Sequence, residues 1–79
     1  MKVDRLKILE YLKDQGKAIK QTDLLDHLIN EFSLQERQAR YILRNLLDMK
    51  ILEHPRKEIS INKRIINFEI ERIKNAQKD

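Results

Sequence analysis

The segment from Ser33 to Glu53, SLQERQARYILRNLLDMKILE, constrains the fold more than any other part of this chain. Ala39, Ile42, Leu43, Leu46 and Leu47 recur at helical spacing and gather on one side of a helical wheel. Arg37, Tyr41 and Arg44 fall opposite, with Gln38 and Arg40 flanking them. Such a helix must lay its aliphatic side on a core and leave its arginines in water. Ser33 and Glu36 have the S-x-x-E spacing of a capping box, in which each side chain satisfies an orphan backbone N–H. The helix is therefore expected over about 34–50. Ala39 suits a close crossing over a neighbouring helix, where a small side chain is needed.

Three further segments carry helical periodicity. Leu6, Leu9 and Leu12, widened by Ile8 and Tyr11, predict a helix over about 4–14, which Gly16 ends by adopting a left-handed conformation. Leu24, Leu25, Leu28, Ile29 and Phe32 predict a second over about 21–31, capped by Gln21 or Thr22. Ala18-Ile19 ahead of it has room for a very short strand. After Lys50 the pattern changes to strand-like Ile51-Leu52-Glu53-His54 and Glu58-Ile59-Ser60-Ile61, a hairpin over about 51–61. Pro55 lacks the N–H a ladder needs and belongs at a strand end or in the connection, which carries Arg56 and Lys57. Ile66, Ile70 and Ile73, with Ile65 beside them, predict a C-terminal amphipathic helix over about 63–77. Ile66-Phe68-Ile70 also reads as a strand, and that reading moves the hairpin turn to Asn62-Lys63. The expected class is a single mainly α domain with a small β-hairpin.

The formal charge of +4 is unevenly spread. Residues 1–34 carry six basic and six acidic side chains, and residues 65–79 carry three of each. The excess lies in residues 35–64, where Arg37, Arg40, Arg44, Lys50, Arg56, Lys57, Lys63 and Arg64 stand against Glu36, Asp48, Glu53 and Glu58. Concentration in one stretch favours a footprint for a polyanion over a general aid to solubility. Seventy-nine residues without cysteine exclude disulfides and thiolate metal sites as a source of stability. No stretch resembles a signal peptide or a membrane span, so an intracellular, cytoplasmic location is expected.

The order helix, short strand, helix, helix, hairpin, helix resembles the winged helix-turn-helix of DNA-binding regulators. Many of these carry a small residue, leucines four and seven positions on, then a glycine and an aliphatic pair eleven to thirteen positions on. Ala39, Leu43, Leu46, Lys50 and Ile51-Leu52 fall at those offsets, with lysine in place of the usual glycine. The closing strand and helix look like those of MarR- and PadR-like regulators, and small regulators of archaeal viruses and plasmids are similar. The resemblance implies double-stranded DNA as partner and a nucleoid-associated regulator. It places Gln35, Arg37, Gln38, Arg40, Tyr41 and Arg44 on a recognition helix in the major groove. It puts Arg56 and Lys57 at a wing tip, with Lys63 and Arg64 reaching flanking backbone. Arginine can contact guanine, and glutamine adenine, through paired hydrogen bonds. The C-terminal helix would dimerise the chain through Ile66, Ile70 and Ile73, unless these fold back on the chain's own core.

Other readings compete with this one. The arginine face is also compatible with a solvated helix paired internally, Arg40 with Glu36 or Arg44 with Asp48. It equally suits an adaptor that meets an acidic protein, or a nonspecific architectural or replication-associated DNA binder. Asp23 and His27 share a helix face, but two side chains make no complete metal site, so no metal and no cofactor are expected. No phosphate-binding glycine loop or nucleophile motif is present, and enzymatic activity is not expected.

Overall fold

Asp4 starts the first helix: its Oδ1 accepts hydrogen bonds from the backbone N–H groups of Leu6 at 3.0 Å and Lys7 at 3.4 Å. The computed structural model describes residues 3–54 and 56–76. Helix α1 spans Arg5–Asp14 and gives way to a turn in which Gly16 takes φ +88°. Open space surrounds the position of a Cβ there, so glycine is required by the backbone angle and not by crowding. The chain continues through β1 (Ala18–Lys20) directly into α2 (Gln21–Phe32). Neither Gln21 nor Thr22 caps α2, contrary to expectation; Lys20, still extended at the end of β1, is the cap residue and offers no side-chain acceptor.

Ser33 has a different task from the one its sequence context implies. It ends α2 in the left-handed conformation, at φ 52° and ψ 46°. Its own N–H and that of Leu34 both point to the Ile29 carbonyl, and the Leu34 bond measures 3.1 Å. That six-residue closure buries Leu34 in the core. Helix α3 therefore begins at Glu36, with Gln35 as its cap, and runs to Asp48. The expected Ser33–Glu36 box is replaced by a shifted one, in which Gln38 Oε1 accepts the Gln35 N–H at 3.0 Å.

The end of α3 repeats the device. Lys50 sits at φ +65°, its N–H donates to the Leu47 carbonyl, and the Ile51 N–H donates to Leu46, each at 3.1 Å. Ile51 is fully buried as a result. Strands β2 (Leu52–Glu53) and β3 (Glu58–Ile61) follow, and α4 spans Lys63–Ala76. Pro55 and the end of the expected C-terminal helix, at residue 77, lie outside the described residues.

The three strands form one antiparallel sheet in the order β1-β3-β2. Ile19 stands opposite Ile59 and Leu52 opposite Ile61, so the four aliphatic side chains share the inner face. Asn62 decides what comes next. Its N–H donates to the Ile51 carbonyl at 2.9 Å, its Oδ1 accepts the Ile65 N–H at 3.2 Å, and its Nδ2 donates to Glu53 Oε1 at 3.0 Å. A residue that caps a helix cannot sit in a hairpin turn, so α4 is a helix and the strand reading of Ile66-Phe68-Ile70 fails.

The core is entirely aliphatic. Ile8, Leu9 and Leu12 of α1 meet Leu24, Leu25 and Leu28 of α2, Ala39, Leu43 and Leu46 of α3, the inner face of the sheet, and Ile66 and Ile70 of α4. Helix α4 packs on α1, and α3 on α2 and β2. The architecture is mainly α, four helices with a small three-stranded sheet, as the periodicities predict.

Left-handed Lys50 carries steric strain that glycine lacks. Lys50→Gly is expected to raise stability by about 0.5–1 kcal/mol, read from the midpoint of urea unfolding with an unchanged slope. An unchanged or lower midpoint contradicts this account of the helix end.

Candidate nucleic-acid interface

Burial of Ala39, Leu43 and Leu46 fixes the rotation of α3 about its axis, and with it the outward face. Arg37, Tyr41, Arg44 and Asp48 occupy one outward line, each three or four residues from the next. All four are exposed, and Tyr41 retains 65% of its surface. The rotation predicted from periodicity is thus the one the fold adopts.

The flanking residues are less free. Arg40 donates through Nε at 3.2 Å and Nη2 at 2.9 Å to Glu36 Oε1, the internal pair that a solvated helix would form. Both partners are exposed, so the bond holds Arg40 only weakly, by a few tenths of a kcal/mol. Gln38 is half-buried and its carbonyl oxygen is committed to capping, while Gln35 is exposed at the cap itself. The alternative pair, Arg44 with Asp48, is not formed, and among the described residues Arg37 and Arg44 have no ion-pair partner. Among the described residues the unpaired cations of α3 therefore sit on the line centred on Tyr41, with positive charge toward the start of the helix and a carboxylate at its end.

The other basic residues do not make one cluster. Exposed Arg56 and Lys57 lie between β2 and β3, where the Arg56 N–H donates to the His54 carbonyl at 2.8 Å and His54 takes φ 56°. Lys63 and Arg64 open α4 at the far end of β3. An extended strand of that length separates the two pairs by roughly 15–20 Å. Arg56 and Lys57 in the hairpin connection and Lys63 and Arg64 at the start of α4 are therefore two separate basic pairs. Lys63 and Arg64 point along different directions of α4, and Arg64 falls in line with Phe68 and Glu71.

The expected dimer seam is also spent. Ile66 is fully buried and Ile70 retains 5% of its surface, both within the chain's own core, and Ile73 packs partly against it. Contact through Ile66 or Ile70 would have to open the monomer. Of the two readings of this helix, folding back on the core is the one realised.

Asp48 is the residue whose meaning the sequence concealed. It is exposed at the last turn of α3, where a negative charge opposes the helix dipole, and it lies on the otherwise cationic line. Its signal, four residues after Arg44, reads in the sequence as an ion pair.

Among the described residues His27 forms no salt bridge. Its ring stacks on Tyr11, with centroids 3.5 Å apart and planes within 4°. No group of three or more potential ligands gathers among the described residues. None of the helices described is long and apolar enough to cross a membrane. The chain matches no family model, no curated protein and no solved structure.

Partial burial, reinforced by the nearby Asp23 charge, raises the Tyr11 hydroxyl above its ordinary pKa of 10.0. The folded state thus favours the protonated phenol. This contribution is complete at neutral pH and is lost as pH rises past 10.0 through the raised value. Tyr11→Phe should make stability fall less steeply on the alkaline side, as measured by urea unfolding across that range. An identical alkaline slope in both proteins contradicts the assignment.

Proposed function

We propose that this chain is a winged helix-turn-helix protein that binds double-stranded DNA and regulates transcription by occupying a promoter. The observation that carries the reading is the exposed Arg37-Tyr41-Arg44 line on α3, the helix that follows a three-residue turn at 33–35. Two helices joined by so short a turn are the geometry in which the second enters a major groove. The element order supports it: β2 and β3 follow α3 directly, and β1 closes the small sheet.

In this reading Arg37 and Arg44 donate paired hydrogen bonds to guanine edges, and Tyr41 between them meets a thymine methyl or a phosphate. Arg40 exchanges Glu36 for a phosphate at small cost. Gln35, at the start of α3, reaches the bases or the backbone beside it, whereas Gln38 keeps its oxygen for the cap. Arg56 and Lys57 hold phosphates from the hairpin connection, and Lys63 reaches backbone at a distance from them. Asp48 repels phosphate, so the N-terminal turns of α3 lead into the groove.

The exposed tyrosine among arginines also suits a protein partner, since both residue types dominate protein interfaces. An acidic protein is therefore the second reading. Anisotropy titrations of a random duplex at several salt concentrations separate the two. A steep log–log dependence supports DNA, and no binding at low salt supports the protein partner.

Once a preferred duplex has been selected, Arg37→Ala or Arg44→Ala is expected to weaken it by about 1–3 kcal/mol while sparing random sequence. Neutralising Arg56 and Lys57 should instead weaken all duplexes and reduce the salt slope by about two. Asp48→Asn should tighten random and selected duplexes alike. Intact folding with unchanged affinity in both arginine variants would remove α3 from the interface.

A further inference from the structure

We propose that the outer face of α4 is a self-complementary docking surface for a second copy of this chain, packed antiparallel about a two-fold axis at Phe68. Phe68 and Tyr41 are the two large hydrophobic side chains left exposed among the described residues, each retaining 65% of its surface. A lone exposed phenylalanine is ordinary in itself. What surrounds this one carries the argument.

Helical spacing lines Phe68 up with Arg64 one turn before it and Glu71 one turn after it, and both are exposed. Among the described residues neither has an ion-pair partner, whereas neighbouring Arg72 is held by Glu69 at 2.9 Å. Seven residues of helix put Arg64 and Glu71 roughly 10 Å apart along the axis, too far to pair within one chain. The midpoint between them falls beside Phe68. A two-fold axis through that midpoint sets each Arg64 against the partner copy's Glu71 and stacks the two phenylalanines between the pairs.

The inner face of α4 offers no competing seam, because Ile66 and Ile70 belong to the monomer core. One face of a 14-residue helix makes a small interface of the weak, reversible class. Two copies held on neighbouring DNA half-sites would gain it at high effective concentration. The surface itself depends on nothing in the DNA-binding reading, and its test contains no DNA.

The test is sedimentation equilibrium from micromolar to near-millimolar protein. The unmodified chain should self-associate to a dimer. Arg64→Glu and Glu71→Arg each place like charges at both contacts and should weaken association about tenfold or more. Both positions are exposed, so circular dichroism melts should be unchanged. Mixing the two variants in equal amounts restores both opposite-charge pairs, and the mixture should recover the dimer. Phe68→Ala should abolish association without lowering the melting temperature. A chain that stays monomeric throughout overturns the proposal, as does a mixture that associates no better than its components.

Discussion

Two left-handed turns, at Ser33 and Lys50, bracket α3, and each is locked by burying the residue that follows it. The Leu34 N–H reaches back to Ile29 and the Ile51 N–H to Leu46, so backbone hydrogen bonding and apolar burial reinforce each other at both ends. The rest of the structure depends on this. The first lock sets the three-residue turn from α2 and the second aims the chain into β2. Between them, α3 has one rotation that buries Ala39, Leu43 and Leu46, and that rotation puts Arg37, Tyr41 and Arg44 in water. Serine and lysine bear the strain at these two turns, and the chain's single glycine stands after α1.

Asn62 plays the corresponding part at the other junction. One side chain caps α4 and ties β2 through Glu53, while its backbone N–H extends the contact to Ile51. The sheet, the end of α3 and the start of α4 therefore meet at one residue. This joint orients α4 so that Ile66 and Ile70 close the core over α1, and it leaves the line from Arg64 through Phe68 to Glu71 outside. The small aliphatic core holds together because every element contributes to it. Among the described residues two outward lines carry an exposed aromatic ring, Arg37-Tyr41-Arg44 on α3 and Arg64-Phe68-Glu71 on α4.

Much of this was legible in the residues. The periodicities of Leu9 and Leu12, of Leu24 and Leu28, and of Leu43 and Leu46 located three helices and their buried sides, because a 3.6-residue repeat has one apolar stripe. The short strand at Ala18-Ile19 and the hairpin after Lys50 were readable for the same reason, from a change in period. Helix ends were less so. Ser33-x-x-Glu36 has the spacing of a capping box, yet the left-handed turn and the burial of Leu34 outweighed it and moved the cap to Gln35. Capping contributes on the order of 1 kcal/mol, and burying a leucine contributes more. Local signals at helix ends lose to such terms.

The sequence alone determined the helical class, the aliphatic core and the concentration of charge in residues 35–64, because pattern and composition are properties of the chain itself. It also determined which side of α3 faces water. Tertiary structure decided what no local pattern specifies. It chose helix over strand after Asn62, since the choice rests on contacts to Glu53 and Ile51 from elsewhere in the chain. It assigned Ile66 and Ile70 to the chain's own core, since an apolar stripe is blind to whether its cover comes from α1 or from another molecule.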